Sequence, residues 1–213
     1  MLGCINEIGA KQKADNISGL LGETSFKNHL NQYKEHFPSG YMLRIGIDNF
    51  KEINENWDME YGDMILRETA HRIAECIELG QMLYKLVADE FMIMDFAGGT
   101  KEHAREIYRK VRKNVDRFIE KNQYEVVYTM SAGLVMTDDF EEENFSDVMK
   151  LTEFALNEAK RRGKSRLYTY VQQDYDEYMK KKELIRTLRR SVYNNFEGFD
   201  TYFQPIVEGD NGK

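Results

Sequence analysis

Two acidic residues, Asp89 and Glu90, stand side by side between two short runs of strand-forming residues. The runs cover residues 82–87 and 91–96, so the pattern predicts a β-hairpin that carries both carboxylates at its tip. Carboxylates at a hairpin tip, within reach of the end of another strand, can hold a divalent cation. This pair is therefore the first candidate for chemistry in the chain.

Composition and charge narrow the class of partner. The chain has 213 residues, enough for one domain and part of another, and its net charge is −7. A general nucleic-acid binder needs a basic stripe, so nucleic acid is not an expected partner. A nucleotide site, in contrast, needs only a few local cations and remains compatible with this charge.

Cysteine usage and hydropathy indicate a cellular compartment. Cys4 and Cys76 make neither a disulfide framework nor a metal cluster, and the four histidines lack ligand spacing. No apolar run has membrane-spanning length, and no signal peptide is visible. We therefore expect a cytoplasmic location, with no membrane segment within this fragment.

Hydrophobic periodicity predicts a mixture of helices and strands. Residues 49–56 are predicted to form a polar turn or a short helix. Ser146 is the expected cap of the predicted helix 146–162. Helices and strands interrupted by a hairpin predict an α+β fold, a mixed sheet with helices on its faces. The predicted helices are 24–37, 63–79, 101–122 and 146–162, and the predicted strands are 41–47, 82–87, 91–96, 124–136 and 166–171.

Several segments, taken in chain order, resemble the motifs of one known family. The hairpin tip Val87-Ala88-Asp89-Glu90-Phe91 resembles a degraded GGDEF signature, with Val87 and Ala88 in place of its two glycines. This family, the diguanylate cyclases, makes cyclic di-GMP from two GTP molecules. The resemblance implies a ferredoxin-like, palm-type sheet. The other matching segments are residues 15–20, 47–54, 62–63 and 159–166.

The resemblance also divides the chain into parts. The resemblance implies that residues 1–14 are a lead-in segment and that residues 15–172 form a degenerate GGDEF domain. Residues 173–213 are expected to form a linker helix and the first strand of a truncated EAL domain. The reason is that residues 201–207 resemble the Tyr-x-Gln-Pro-Ile opening of that cyclic di-GMP phosphodiesterase family. An EAL domain of the same, longer chain is therefore the expected partner.

Metal binding is implied by the resemblance and weakened by this sequence. The family holds Mg²⁺ with a carboxylate at the end of the first strand and another at the hairpin. The strand-end position is Gly46 here, whereas the hairpin carboxylate is Asp89. Asp89 and Glu90 are therefore vestigial catalytic residues, and Mg²⁺ with GTP is expected to bind weakly or not at all. Asp48 could substitute as a ligand, but a cap for the following turn is the favoured interpretation.

Nucleotide recognition is better preserved. Family residues that match Asn54 and Asp63 bind guanine, and a carboxylate can accept hydrogen bonds from both N1–H and the 2-amino group of that base. A helix cap is an equally good interpretation of Asp63. The two lysines expected to meet phosphates also fit a solvated helix end. The expected nucleotide-binding residues are Asn54, Asp63, Phe50, Lys51, Lys160 and Lys164.

Two further departures from the family pattern bear on activity and regulation. Val87 is β-branched and tolerates positive φ poorly, so the turn either adopts another geometry or is strained. The inhibitory product site of active members, Arg-x-x-Asp, falls on Glu78 and Gln81, so that site is not expected.

Three hypotheses follow from these residues. The favoured one is a regulatory module of an EAL phosphodiesterase, with GTP as its candidate ligand. The second is an active diguanylate cyclase with unusual metal ligands, against which Gly46 and the Val87-Ala88 turn count. The third is a ligand-free interaction module that forms a homodimer. Asn54 and Asp63 favour GTP binding over this last hypothesis.

Overall fold

The strand Tyr41–Ile47 (β1) is the centre of the sheet, and all seven of its residues are buried. The structure, a computed structural model, describes residues 14–33, 39–57, 59–122, 126–140 and 144–204. The remaining strands are β2 (Gln81–Lys85), β3 (Glu90–Asp95), β4 (Met130–Met136) and β5 (Leu167–Thr169). The helices are α1 (Glu23–Tyr33), α2 (Phe50–Asn56), α3 (Met59–Ala74), α4 (Lys101–Asn122), α5 (Phe145–Arg161) and α6 (Gln172–Tyr193).

The five strands form one mixed sheet in the order β2-β3-β1-β4-β5. β1 pairs antiparallel with both β3 and β4, and β2 pairs antiparallel with β3. β5 is parallel to β4. A mixed sheet with helices packed on it confirms the predicted α+β fold class.

Alternation along β1 divides its side chains between two helical layers. Leu43, Ile45 and Ile47 point into a core shared with α3 and α4. Arg44 and Gly46 point the other way and meet α5, where Arg44 donates to the carbonyl of Met149. The candidate site residues at the end of β1 therefore lie on the α5 side of the sheet.

Several predicted bounds differ from the structure. The helix predicted over 63–79 is α3, which begins at Met59. Its first turn was not predicted, because that turn is exposed and adds nothing to the apolar stripe. It ends at Ala74, after which Cys76 and Ile77 donate to carbonyls three residues back, yet both still pack against the core. Apolar spacing alone cannot separate such a tightened turn from a continuing helix.

The strand predicted over 124–136 is also shorter than expected. β4 begins at Met130, although buried and exposed residues already alternate at Val126, Val127 and Tyr128. The alternation of buried and exposed residues therefore begins several residues before the strand pairs with its neighbours in the sheet. Asn144, and not Ser146, caps α5: its side chain accepts from the amide of Asp147 at 2.9 Å.

The first described residues form a turn that is fixed by one carboxylate. Asp15 accepts from the amide and the hydroxyl of Ser18, at 2.8 and 2.7 Å. Leu21, just beyond this turn, pairs with Tyr84 and accepts from the amide of Lys85. The turn therefore holds the start of the domain beside β2.

The chain divides into two compact units, Met1–Val171 and Gln172–Lys213. In the second unit, α6 begins at Gln172 and contains no buried residue. Residues 201–204, the described part of the predicted EAL strand, do not form a strand; residues 205–207 lie outside the described residues. An extended segment gains its ladder hydrogen bonds only from a neighbouring strand. Among the described helices, none combines the length and the apolar character needed to cross a bilayer.

Candidate functional site

The centre of the candidate site is the end of β1, where Gly46 pairs with Glu90 of β3 and Ser131 of β4. A Cβ at Gly46 would lie 3.0 Å from Lys160 Nζ and 3.1 Å from a methyl group of Leu156. Lys160 reaches this space from the last turn of α5. Its ammonium also lies 3.6 Å from Asp89 Oδ2, so it occupies the gap between the strand end and the hairpin.

The second hairpin carboxylate, Glu90, is committed to another cation. Arg44 Nε donates to Glu90 Oε2 at 2.6 Å, and a second guanidinium nitrogen lies 2.5 Å from the same oxygen. The Arg44 side chain is only 4% exposed, and that of Glu90 is 17% exposed. Sequence reasoning missed this partner. The sequence feature that could have indicated this ion pair is an arginine in the middle of a strand whose other residues are almost all apolar.

The Glu90 amide closes the hairpin turn by donating to the Val87 carbonyl at 3.2 Å, so Ala88 and Asp89 are the central residues of the turn. Ala88 has φ of 50°, whereas Val87 keeps an ordinary negative φ and is 59% exposed. Val87 itself therefore avoids the positive φ that a β-branched residue tolerates poorly. The strain falls on Ala88, because an L-residue in the left-handed region brings its Cβ close to the following carbonyl.

A buried lysine supports the turn from inside. Lys85 donates to the carbonyls of Leu86, at 2.9 Å, and of Ala88. Its ammonium also lies 5.2 Å from the centre of the Phe91 ring. Burial lowers the pKa of Lys85, although the carboxylates of Asp15, Asp89 and Glu90 act in the opposite direction. The turn carbonyls therefore face a protein cation.

The expected guanine-binding residues come together at the junction of α2 and α3. The side-chain oxygen of Asn54 lies close to Gly62: a Cβ added to this glycine would be only 1.9 Å from that oxygen. The same Cβ would be 3.4 Å from the Phe50 ring. Asp63 follows Gly62 and is half-buried. It is the fifth residue of α3, so the interpretation of Asp63 as a helix cap is wrong.

Asp48 also differs from its favoured interpretation. Its carboxylate does not cap α2; instead it accepts from the hydroxyls of Thr129 and Ser131, both at 2.7 Å. It also accepts from the amide of Ser165 at 3.0 Å, and the residue is 4% exposed. Both carboxylate oxygens thus accept hydrogen bonds, from residues in and just before β4 and from the turn that follows α5.

The remaining two lysines lie elsewhere. Lys51 is 87% exposed and pairs with Glu55 on the outer face of α2, 3.4 Å away. Lys164 has positive φ, 59°, and donates to the side-chain oxygen of Asn49. It lines a cleft of about 360 Å³ together with Trp57 and other residues of α2 and the segment before β4. Lys160 is therefore the one expected phosphate contact that lies against Asp89.

The positions of the expected product site are occupied by other interactions. Glu78 pairs with Lys110 at 2.7 Å and with His103 at 3.0 Å. Gln81 is buried and donates to the hydroxyl of Tyr41 and to Asp95, at 2.8 and 3.1 Å. Burial, with the charges of Asp95 and Glu78, raises the pKa of Tyr41. The absence of an inhibitory product site stays a prediction.

A Mg²⁺ ion does not fit the hairpin site as these side chains stand. Mg²⁺ requires near-octahedral oxygen ligands about 2 Å away. The Asp89 carboxylate faces the gap, and the Lys160 ammonium lies beside it in the space next to Gly46. Among the residues that the structure describes, no three His, Cys, Asp or Glu side chains are grouped so that they could hold a metal ion.

Comparison with known proteins points to one family. A family model described as "Diguanylate cyclase, GGDEF domain" matches residues 12–166. An uncharacterized signaling protein of Caulobacter vibrioides is 24% identical over 205 residues, which cover 93% of this chain and 25% of that protein. The probable diguanylate cyclase DgcT of Escherichia coli is 27% identical over 158 residues, covering 72% of this chain and 34% of DgcT.

A third relative, the diguanylate cyclase DosC of Escherichia coli, is 28% identical over 128 residues, covering 59% of this chain and 27% of DosC. The chain therefore spans only about a quarter to a third of the length of these relatives.

Solved structures show the same fold. The GGDEF domain of TpbB (YfiN) from Pseudomonas aeruginosa superposes with a TM-score of 0.67 at 19% identity, covering 78% of this chain and 99% of that one. The GGDEF domain of DgcB from Caulobacter crescentus, in complex with c-di-GMP, gives a TM-score of 0.63 at 19% identity, covering 76% and 98%. At such identities the likeness establishes the fold alone.

Proposed function

Because this chain belongs to the GGDEF family of diguanylate cyclase domains, we propose that it acts in cyclic di-GMP signalling without making cyclic di-GMP itself. It is a GGDEF domain homologous to diguanylate cyclases. Its proposed role is regulatory: it binds a guanine nucleotide and acts on an EAL phosphodiesterase domain of the same, longer chain. We also propose a cytoplasmic location, because the substrates of cyclic di-GMP signalling are nucleotides.

One observation carries the proposal that the domain is not a cyclase. Phosphoryl transfer depends on positioning and on neutralisation of charge, which metal ions supply in most such enzymes. Here the strand-end carboxylate is missing at Gly46, and Lys160 fills its place against Asp89. Glu90 is held by Arg44. Each hairpin carboxylate therefore already faces a cation of the protein itself.

The direct test is product formation. We expect no cyclic di-GMP above the buffer control when the chain is incubated with GTP and Mg²⁺ and the mixture is separated by chromatography. An active diguanylate cyclase from the same family, assayed in parallel, shows that the conditions permit the reaction. Product formed by this chain and lost in Asp89→Asn would overturn the proposal.

Guanine recognition is the second part of the proposal, and the junction of Asn54, Gly62 and Asp63 supports it. We expect GTP to bind more tightly than ATP, because adenine lacks the paired donors that a carboxylate accepts. Asp63→Ala should remove this preference, since each charge-assisted hydrogen bond is worth about 1.5–3 kcal/mol, roughly tenfold or more in affinity.

Calorimetric titration of both nucleotides gives the two affinities. Glu60→Ala is a matched control, because Glu60 is an exposed acidic residue in the first turn of the same helix. Equal affinities for ATP and GTP in the parent chain would mean that the guanine pocket has not survived. The ligand-free interaction module would then be the better hypothesis.

The proposed EAL partner is supported by residues 201–204 and the Pro205-Ile206 that follows them. In a longer protein that includes this domain, we expect GTP to change the rate of cyclic di-GMP hydrolysis. Asp63→Ala in that protein should abolish the response to GTP and leave the basal rate unchanged. A hydrolysis rate that stays constant over the GTP concentrations at which the domain binds GTP would show that this domain does not regulate the EAL partner through GTP.

A further inference from the structure

We propose that the Lys160 ammonium is the resident cation of the hairpin site: it takes the place of a divalent metal beside Asp89, so that phosphates are bound there without metal. The statement about phosphates rests on the proposed nucleotide-binding function. The statement about the cation rests on the apoprotein alone.

Two sets of distances define where the Lys160 side chain lies. Its Nζ atom lies 3.0 Å, and its Cε atom 3.3 Å, from the point where a side chain at residue 46 would begin. The same Nζ atom lies 3.6 Å from Asp89 Oδ2. The lysine therefore fills the space of the missing strand-end carboxylate and neutralises the remaining one.

The surroundings favour a single positive charge in this gap. Lys160 lies in the last turn of α5, where the helix dipole favours a cation. Arg44 has already neutralised Glu90, so Asp89 is the one hairpin carboxylate left to attract an ion. A divalent ion would have to displace the ammonium, because two cations that share one carboxylate repel each other.

The ammonium remains within reach of a ligand. The Lys160 side chain is 27% exposed, which leaves its donors accessible from solvent. An ammonium has three N–H donors, so it can keep its contact with Asp89 and still donate to phosphate oxygens. Binding in this form requires no Mg²⁺. It can even be stronger without Mg²⁺, because that ion neutralises the phosphates that Lys160 would attract.

The test of the cation uses Mn²⁺, without nucleotide, and follows the electron paramagnetic resonance signal of the free ion. The parent chain should leave the signal unchanged. Gly46→Asp should add only weak binding, because Lys160 lies beside the new carboxylate. Gly46→Asp with Lys160→Gln should bind Mn²⁺ at least about tenfold more tightly than Gly46→Asp alone, since two carboxylates then face each other without a cation.

Lys150→Gln, combined with Gly46→Asp, is the matched control. Lys150 is an exposed lysine of the same helix and pairs with Asp147 at 3.0 Å, so its loss changes the net charge equally but leaves the gap filled. Thermal melts verify that each variant is folded. Mn²⁺ binding by the parent that disappears in Asp89→Asn would overturn the proposal. A double variant no tighter than Gly46→Asp would overturn it as well.

The parent chain supplies a second test that needs no variant. GTP should bind in EDTA at least as tightly as in excess Mg²⁺, and Lys160→Gln should weaken binding in EDTA. Binding that appears only with Mg²⁺ would contradict the inference. If GTP binds under neither condition, the proposed nucleotide function fails, whereas the Mn²⁺ titration still decides whether Lys160 is the resident cation.

Discussion

Asp89 and Glu90 retain their identities, but each faces a cation from another part of the chain. Arg44 holds Glu90, and Lys160 lies beside Asp89. When one partner of a buried ion pair is removed, the folded protein loses about 3–5 kcal/mol of stability, because the other charge is left uncompensated. The Arg44–Glu90 pair therefore locks Glu90 into a structural role across β1 and β3.

Ala88 is the residue at which the altered hairpin costs stability. Its φ of 50° is a conformation that glycine adopts readily and alanine does not. We expect Ala88→Gly to stabilise the domain by about 0.5–1 kcal/mol, since relief of roughly 1–2 kcal/mol of strain exceeds the extra chain entropy of glycine. For a chain of this size, that corresponds to a rise of about 1–4 °C in Tm.

Val87→Gly is the matched control, because Val87 is the neighbouring turn residue and keeps an ordinary φ. Glycine there gains nothing in the folded state and loses entropy on folding, so stability should fall. Urea unfolding of the two variants and the parent gives the order. If both glycines destabilise the chain equally, the turn is not strained at Ala88.

At the scale of elements, Asp48 joins three segments that are far apart in sequence. Its carboxylate connects the end of β1 to Thr129 and Ser131 in and before β4, and to Ser165 after α5. Ser165 and Lys164 both have positive φ, so the carboxylate holds a turn that costs backbone energy. This connection sets the position of the chain on both sides of the candidate site.

The elements predicted best from sequence are those whose ends coincide with a change in burial. The predicted bounds of β1 and α4 match the structure, because their apolar periodicity begins and stops with the element itself. The bounds of α3 and β4 were wrong because periodic burial continues outside the hydrogen-bonded part of the element. Helix and strand ends depend on hydrogen bonds, which the apolar pattern does not report.

Sequence reasoning named some of the residues that the structure brings together at the candidate site, but not their partners. Gly46 and Asp89 were identified, and the structure places Lys160 between them. The pairing of Arg44 with Glu90 was not predicted, because these residues are 46 positions apart and meet only through strand register. Long-range pairs of this kind depend on the whole fold and leave little local pattern in the sequence.

At the scale of the whole molecule, stability should reside in the first compact unit, Met1–Val171. α6 has no buried residue, so the helix contributes little apolar burial of its own to stability. We expect a chain that ends at Val171 to keep its Tm within about 2 °C of the full chain, since the midpoint follows the free energy of unfolding. Its urea m-value should also change little, because m scales with the surface exposed on unfolding.

A chain that ends at Arg162 is the informative counterpart. It lacks β5, which pairs with β4, and the buried residues Tyr168 and Tyr170. It also lacks the Ser165 amide that Asp48 accepts. Loss of a strand, two buried aromatic side chains and this hydrogen bond should remove most of a marginal stability of about 5–15 kcal/mol, so cooperative unfolding should disappear. If instead the chain that ends at Val171 melts well below the full chain, the segment after it contributes to the folded domain and the two units are not independent in stability.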